Sequence, residues 1–220
     1  MEEARRKLKI RIPAYTLGEE LFNAVSHGIG AGLSIAALVC MAIKAGSALA
    51  KATSAVFGAA MVLLYTVSCV YHGLSRNLEG KKVLRVIDHC NVYLLVMGTY
   101  VPVALLGVGG ALGWVLLGVV IAFGATGISL TAVKVDGFRV FSVVCHLVCG
   151  WSILLGLGPL RDAMGSGGVW WLLWGGVMYT VGSILYGVGT RKKYMHCVFH
   201  VFCLLGTFFH FWAVYRYLLS

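Results

Sequence analysis

Seven apolar stretches, each close to the length that crosses a lipid bilayer, follow one another along the 220 residues. A transmembrane helix needs about 20 predominantly apolar residues, and the stretches lie at 23–43, 53–74, 87–106, 112–132, 138–158, 168–189 and 196–217. A mean hydropathy of +0.88 and only eight acidic residues do not describe the surface of a soluble protein. The sequence therefore predicts an all-α integral membrane protein, a bundle of seven transmembrane helices.

Polar or glycine-rich segments separate these stretches, at 44–51, 75–85, 107–113, 134–139, 158–168 and 191–193. The separator between the fourth and fifth stretches is short and is the least distinct, with only Lys134, Asp136 and Arg139 as charged residues. No internal repeat or linker is apparent. We therefore expect residues 1–18 to form a basic cytoplasmic tail and residues 19–220 to form a single transmembrane domain.

The distribution of positive charge predicts the orientation, because Lys and Arg in short loops mark the cytoplasmic side. With the N-terminus inside, only four of the 18 Lys and Arg residues fall outside: Lys44, Lys51, Arg161 and Arg216. The sequence predicts a cytoplasmic N-terminus and an external C-terminus. The predicted location is the plasma membrane, namely a bacterial inner membrane. This bias explains the net charge of +10, and nucleic-acid binding is not expected.

Four side chains of the types that bind metals are predicted at the cytoplasmic ends of the spans: His72, Asp88, His196 and His200. Ser68 and His72 lie at i and i+4 at the end of the second span, and the short following loop brings Asp88 beside them. His196 and His200 open the seventh span with the same spacing. Since a helix rises about 1.5 Å per residue, these two rings lie roughly 6 Å apart along its axis, within reach of one metal ion.

Three imidazoles and a carboxylate on three helices match a catalytic zinc site, with three protein ligands and water in the fourth position. Zinc is the preferred ion, although iron, nickel or copper accept the same ligands. Asp88 is the candidate general base for a metal-activated water, and Ser68 could hydrogen-bond that water or a substrate oxyanion. The alternative is a structural metal that holds the second, third and seventh spans together.

Polar residues at the start of the first span have a simpler interpretation. Glu19 and Glu20 favour the helix macrodipole at an N-terminus, which suffices to explain them. Asn23 and His27 share a helix face and could line the cavity beside the metal as outer neighbours.

The remaining histidines are not expected to bind the metal. His89 points about 100° away from Asp88, given 3.6 residues per turn. His146 is expected to hydrogen-bond a neighbouring helix. His210 lies roughly 21 Å from His196 along the axis, too far to share its ion. The seven cysteines lie in spans without a CxxC pair, which is typical of small buried residues, the alternative being a thiolate near the metal.

Four segments resemble the bacterial hemolysin III family, within the progestin and adipoQ receptor superfamily that includes the adiponectin receptors. The segments read EELFNAVSHGIGAGLS at 19–34, SCVYHGLS at 68–75, DHCNVYLLVMGTYVPVALL at 88–106 and HCVFHVFCLLGTFFHFWAVY at 196–215. The resemblance implies seven helices, a cytoplasmic N-terminus and a zinc ion near the cytoplasmic leaflet. It implies the ligands His72, His196 and His200, with Asp88 reaching the zinc through water and Ser68 as the serine of the SxxxH motif.

The superfamily also resembles the alkaline ceramidases, which implies zinc-dependent hydrolysis of a lipid amide or ester, with a membrane lipid as substrate or ligand. Two other functions stay open. One is a receptor or sensor of the membrane state in which zinc is structural. The other is a membrane-perturbing, cytolytic protein, although no polar stripe in the spans supports a pore.

Overall fold

The computed structural model of the chain describes residues 10–189 and 192–219, with the backbone alone at 139, 188 and 189. Within these ranges every regular element is helical. The α-helices are α1 (Leu17–Lys44), α2 (Ala48–Gly73), α3 (Glu79–Pro102), α4 (Gly110–Val133), α5 (Arg139–Trp151), α6 (Leu157–Gly189) and α7 (Met195–Tyr217). A π-helical turn at Val103–Val108 extends α3, and a 3₁₀ turn at Ser152–Gly156 joins α5 to α6.

Six helical segments of the described chain are long and apolar enough to cross a membrane. This confirms the all-α membrane class, but the count differs from the seven expected. The predicted fifth and sixth spans lie in one helical segment, Val140–Gly187, of 48 residues. Within the separator expected at 158–168, only Gly165 leaves helical geometry, with φ +64° and ψ 174°. Glycine accepts positive φ without steric cost, so one residue replaces a loop.

Two helices begin earlier than hydropathy predicts because their first turns have polar partners. At the start of α1, the Thr16 hydroxyl accepts from the Glu19 amide while the Glu19 carboxylate accepts from the Thr16 amide at 2.8 Å, a capping box. The chain before α3 was expected to stay in a loop as far as residue 85. It is helical from Glu79, and the charged residues of the first turns are paired or buried.

The helix pairs α1–α2, α2–α3 and α6–α7 form the most closely packed part of the bundle, whereas α5 packs only sparsely against its neighbours. Met41, Phe57 and Met61 are completely buried in this part. Close approach of α3 and α4 requires glycine, since a Cβ at Gly127 would lie 2.2 Å from Cε1 of Tyr93. Large apolar side chains cover the outer surface, as a helix bundle in lipid requires.

The segments at the two ends of the bundle are joined by specific hydrogen bonds. At one end, the Lys44 ammonium donates to the carbonyl of Tyr215 at 2.7 Å. At the other end, the Arg85 guanidinium donates to the carbonyl of Arg11 at 2.8 Å, which holds the chain ahead of α1 against α3. The same end contains the last turn of α2 and the first turns of α7, where the predicted site residues lie.

Candidate metal centre

Three histidines from two helices converge at this end of the bundle. His72 lies in the last turn of α2, and His196 and His200 lie in the first two turns of α7. All three are buried, and one ring nitrogen of each lies within 4.8 Å of the others. The Nε2 atoms of His196 and His200 are 3.1 Å apart, close to the spacing of about 3.4 Å that nitrogens 2.0–2.1 Å from one tetrahedral zinc would have. The three imidazoles predicted as ligands can therefore hold one metal ion.

The ring of His72 is oriented for coordination. Its Nδ1 lies 2.7 Å from Oε2 of Glu20, and a carboxylate in an ion pair only accepts, so Nδ1 carries the proton. Its Nε2 is buried and has no hydrogen-bond partner in the described part of the chain. A histidine whose second nitrogen donates to a carboxylate is the usual arrangement around protein-bound metals. The donor set thus fits zinc or a similar divalent ion.

A buried lysine completes this arrangement. The Lys81 ammonium lies 2.7 Å from Oε1 of Glu20 and donates to the carbonyl of Leu74 at 2.8 Å. Lys81 is fully buried, with 0% of its surface exposed. The interpretation of Glu20 as a helix-dipole residue was therefore wrong, because its carboxylate bridges His72 and Lys81. A sequence signal existed: Glu20, Asn23 and His27 follow a helical i, i+3, i+7 spacing that places them on one face of α1.

Asn23 and His27 lie beside the cluster, on the same face of α1 as Glu20. The His27 ring stacks on the His200 ring, with centroids 3.7 Å apart and an angle of 17°. Both residues are buried, and neither the His27 ring nitrogens nor the Asn23 amide atoms have hydrogen-bond partners among the described residues. An unmade hydrogen bond of a buried polar group costs about 1–3 kcal/mol. Such groups are expected where water, an ion or a ligand is bound.

Asp88 lies outside the three-histidine group but lines the same cavity as His196 and His200. Ser68 lines the same cavity. The adjacent His89 is also outside the group, and its Nδ1 lies 2.8 Å from the carbonyl oxygen of Arg85 on its own helix. The catalytic role of Asp88 and Ser68 stays a prediction.

Tyr15, in the segment ahead of α1, covers one side of the cluster. No motif or spacing in the sequence indicated this contact. Its ring stacks on the His196 ring at 4.9 Å and 16°, and its centroid lies 5.9 Å from that of His72. The backbone nearby is held to the α2–α3 link, since Arg76 contacts the carbonyl of Ile12. The site is therefore shielded on this side by an aromatic ring.

On the opposite side the cluster borders a cavity of about 180 Å³ between α3, α5, α6 and α7. The cavity is elongated, because the α3 residues in its wall run from Asp88 to Tyr100, about 18 Å at helical rise. Apolar side chains dominate the wall, among them Val92, Leu147 and Phe199. An elongated cavity with an apolar wall can accommodate a hydrocarbon chain.

A comparison with known protein families gives this arrangement its context. The sequence model of the family described as "Haemolysin-III related" matches residues 15–211. The chain belongs to this family. It is similar to Hemolysin-3 of Bacillus cereus, 36% identical over 204 residues that cover 91% of this chain and 92% of the relative. It is equally similar to the Hemolysin-3 homolog of Bacillus subtilis (strain 168), 36% identical over 206 residues that cover 92% of this chain and 96% of the relative.

Membership of the haemolysin-III-related family confirms the resemblance seen in the four sequence segments. The matched region begins at Tyr15, so it includes the ring that covers the cluster, and it contains all three histidines and Asp88. This haemolysin-III-related chain is accordingly a multi-pass helical membrane protein with a buried histidine cluster able to bind a metal.

Proposed function

We propose that this protein is a metal-dependent hydrolase that cleaves an amide or ester bond of a membrane lipid at the cytoplasmic leaflet. The observation that carries the proposal is the convergence of three buried imidazoles at the end of an elongated apolar cavity that also contains Asp88. A hydrolytic site needs a metal, a proton acceptor and room for substrate in one place. This end of the bundle offers possible metal ligands, a carboxylate and a cavity together.

Zinc is the ion we propose, held by His72, His196 and His200. When bound, it would supply Lewis acidity and a water molecule with a pKa lowered towards about 7. Glu20 keeps the proton of His72 on Nδ1, so that Nε2 is available as a ligand atom. Lys81 holds the Glu20 carboxylate in place and balances its charge.

Asp88 is proposed as the general acid and base. A carboxylate oxygen of Asp88 accepts a proton from the attacking water and passes it to the leaving nitrogen or oxygen of the substrate. Ser68, which lines the same cavity, is proposed to position Asp88 by a hydrogen bond. The Tyr15 ring excludes bulk water from the cytoplasmic side, while the lipid chain enters the cavity and excludes it from the other.

We propose that the chain crosses the membrane seven times. The segment Val140–Gly187 has 48 residues, about 72 Å at helical rise, whereas the hydrocarbon core is about 30 Å thick. Gly165, with its positive φ, interrupts this segment, and Arg161 and Asp162 beside it are exposed. A turn at the membrane surface explains the length, the glycine and the two charges together.

We further propose a cytoplasmic N-terminus and an external C-terminus in the plasma membrane. The α2–α3 link with the first turn of α3 and the chain before α7 lie at the same end of the bundle, and both are basic, with Arg76, Lys82, Lys192 and Lys193. A C-terminal tag should react with membrane-impermeant reagents in intact cells, as should a cysteine placed beside Gly165. If the tag is protected, the proposed topology is wrong.

A structural metal is the second candidate, and one observation favours it. The three histidines link α2 to α7, and Tyr15 stacks on one of them, so a metal there would fasten the two helices and the N-terminal segment together. In this case the protein would act as a receptor or sensor of the membrane. Cytolytic activity, which the names of the two Bacillus relatives suggest, has no supporting pore in the described chain.

Asp88→Asn separates the two candidates. For a hydrolase, the variant should keep its zinc because all three histidines remain, while turnover of acyl amides and esters of long-chain lipids falls about 10²–10⁴-fold. Zinc content, thermal stability and lipid turnover should be measured on one preparation, with the exposed Asp162→Asn as the matched control. Full turnover in Asp88→Asn with zinc retained would show that Asp88 is not the base. No turnover in the wild type on any such lipid would favour the structural metal.

A further inference from the structure

A second polar position lies in the cavity wall on α5, away from the histidine cluster. His146 and Ser142 are one helical turn apart and both line the cavity that contains His196 and His200. The residues around them in the wall are apolar, including Val96 and Leu147. Two polar side chains in such a wall have to be explained by a local partner or by a ligand.

The protonation of His146 is fixed by its contacts. Its Nδ1 lies 2.6 Å from the carbonyl oxygen of Ser142, and a carbonyl only accepts, so Nδ1 carries the proton. In the neutral ring Nε2 is then an acceptor, and it is buried without a hydrogen-bond partner among the described residues. The ring stacks on Tyr93, with centroids 3.9 Å apart and an angle of 29°. His146 therefore presents an unused acceptor in a fixed orientation.

Ser142 supplies the complementary donor. Its hydroxyl oxygen accepts a hydrogen bond from the Tyr93 hydroxyl at 2.8 Å, which leaves its own proton to be donated. A hydroxyl group on a ligand has the two functions that these atoms lack, a proton for Nε2 of His146 and an acceptor oxygen for Ser142. A plain hydrocarbon chain satisfies neither atom.

His210 offers a useful contrast within the same cavity. Its Nε2 donates to the carbonyl of Leu172 at 3.1 Å, and its Nδ1 is buried without a partner in the described chain. His210 also borders a separate space of about 30 Å³, which is enough for a water molecule. A water there can satisfy His210. His146 lines the large cavity but not this small space, so a partner for its Nε2 would lie in the large cavity, where the lipid is proposed to bind.

The position of His146 locates the ligand group that it would bind. Tyr93, on which the ring stacks, follows Asp88 by five residues on α3, about 7.5 Å along the axis. A lipid held by its polar end beside Asp88 would pass His146 within the first part of its chain. The hydroxyl therefore belongs near the reacting carbonyl rather than at the chain end.

We infer that this cavity selects a long-chain lipid that carries a hydroxyl group on the part of its acyl chain nearest the carbonyl, recognised by His146 and Ser142. The inference rests on the proposed function for the placement of the polar end at the histidines. It adds a substrate class to that function, namely hydroxyacyl lipids in preference to unsubstituted acyl lipids.

The test is a binding measurement that does not depend on turnover. Purified protein in mild detergent is loaded with a fluorescent long-chain fatty acid, which is displaced by myristic acid or by hydroxymyristic acids whose hydroxyl is moved stepwise along the chain. One isomer with the hydroxyl near the carboxyl group should displace the probe at a concentration about 2- to 10-fold lower than myristic acid, as one or two hydrogen bonds predict.

His146→Phe keeps an aromatic ring on Tyr93 but removes the acceptor, so this preference should vanish while displacement by myristic acid stays unchanged. Ser142→Ala should weaken the preference and serves as the second variant should His146→Phe not fold. His210→Phe is the matched control and should keep the wild-type preference.

Three outcomes would overturn the inference: no isomer preferred over myristic acid, a preference that survives in His146→Phe and Ser142→Ala, or no binding of the fluorescent fatty acid to the wild type. Failure of the hydrolase proposal gives a different pattern. In that case hydroxyacyl lipids are bound with the same preference but are not cleaved.

Discussion

The histidine cluster and the α5 wall belong to one cavity but are built in opposite ways. In the cluster, His72 is held by a carboxylate that is itself held by the fully buried Lys81, and the three elements involved pack closely. In the α5 wall, the contacts of His146 within the described chain that fix its ring are the carbonyl of Ser142 on its own helix and the face of Tyr93. Helix α5 is short and packs sparsely against its neighbours.

The difference shows how a membrane site can combine fixed chemistry with adaptable binding. Ligand atoms that share one ion must be held within fractions of an ångström, which requires a second layer of hydrogen bonds. A wall that accommodates lipid chains needs less restraint, and sparse packing permits small local movements. If the two regions are built independently, each can be altered without changing the other.

The largest effect is expected from loss of a ligand in the cluster. Loss of a residue that only hydrogen-bonds to a metal ligand typically lowers metal affinity about 10–100-fold. Loss of a ligand itself costs more, so His196→Ala should weaken zinc binding by more than about 100-fold. His146→Phe in the α5 wall should leave zinc binding unchanged. Elemental analysis of the purified proteins measures both. Equal zinc in the wild type and in a His72→Ala, His196→Ala double variant would show that these histidines do not form the site.

Glu20→Ala is expected to have the next largest effect, because it leaves Lys81 buried without its carboxylate. Breaking a buried ion pair by removing one partner costs about 3–5 kcal/mol, and zinc affinity should fall about 10–100-fold as His72 loses its orientation. Thermal unfolding in detergent and zinc titration measure the two effects.

Glu79→Ala is the matched control, since it removes a carboxylate from the exposed pair with Lys82 and should cost at most about 1 kcal/mol. A Glu20→Ala variant as stable and as rich in zinc as Glu79→Ala would show that the buried network does not support the cluster.

The smallest effect is expected from overpacking around Tyr93, the residue on which His146 of the α5 wall stacks. In Gly127→Ala the new methyl group meets Tyr93, whose ring is restrained by Ser142 and His146, and overpacking of this kind costs about 1–3 kcal/mol. Gly118→Ala on the same helix points into open space and should be neutral or stabilising by up to about 1 kcal/mol. Thermal unfolding distinguishes them, while zinc content should not change in either. Zinc loss in Gly127→Ala would mean that the two regions are coupled.

The predictable part of the site depends on local geometry. His196 and His200 face one point because they are four residues apart on one helix, and this spacing holds in any helix. Asp88 lies near His72 because a short link joins α2 to α3. Glu20 could not be assigned in the same way, since its contact with His72 joins residues 52 positions apart and depends on how α1 docks against α2. Tyr15 was missed for the same reason.

By itself, the sequence determined the membrane class, the helical segments and the membership of the haemolysin-III-related family, because apolar length and helical spacing are properties of consecutive residues. Only the tertiary structure decided that Glu20 and Lys81 support His72, that the chain stays helical through 158–168 except at Gly165, and that His146 faces the cavity of the cluster. These features depend on which helix faces meet. Contacts between helix faces depend on the complementary shape and the hydrogen bonding of segments that are distant in sequence, and a local sequence pattern does not encode these contacts.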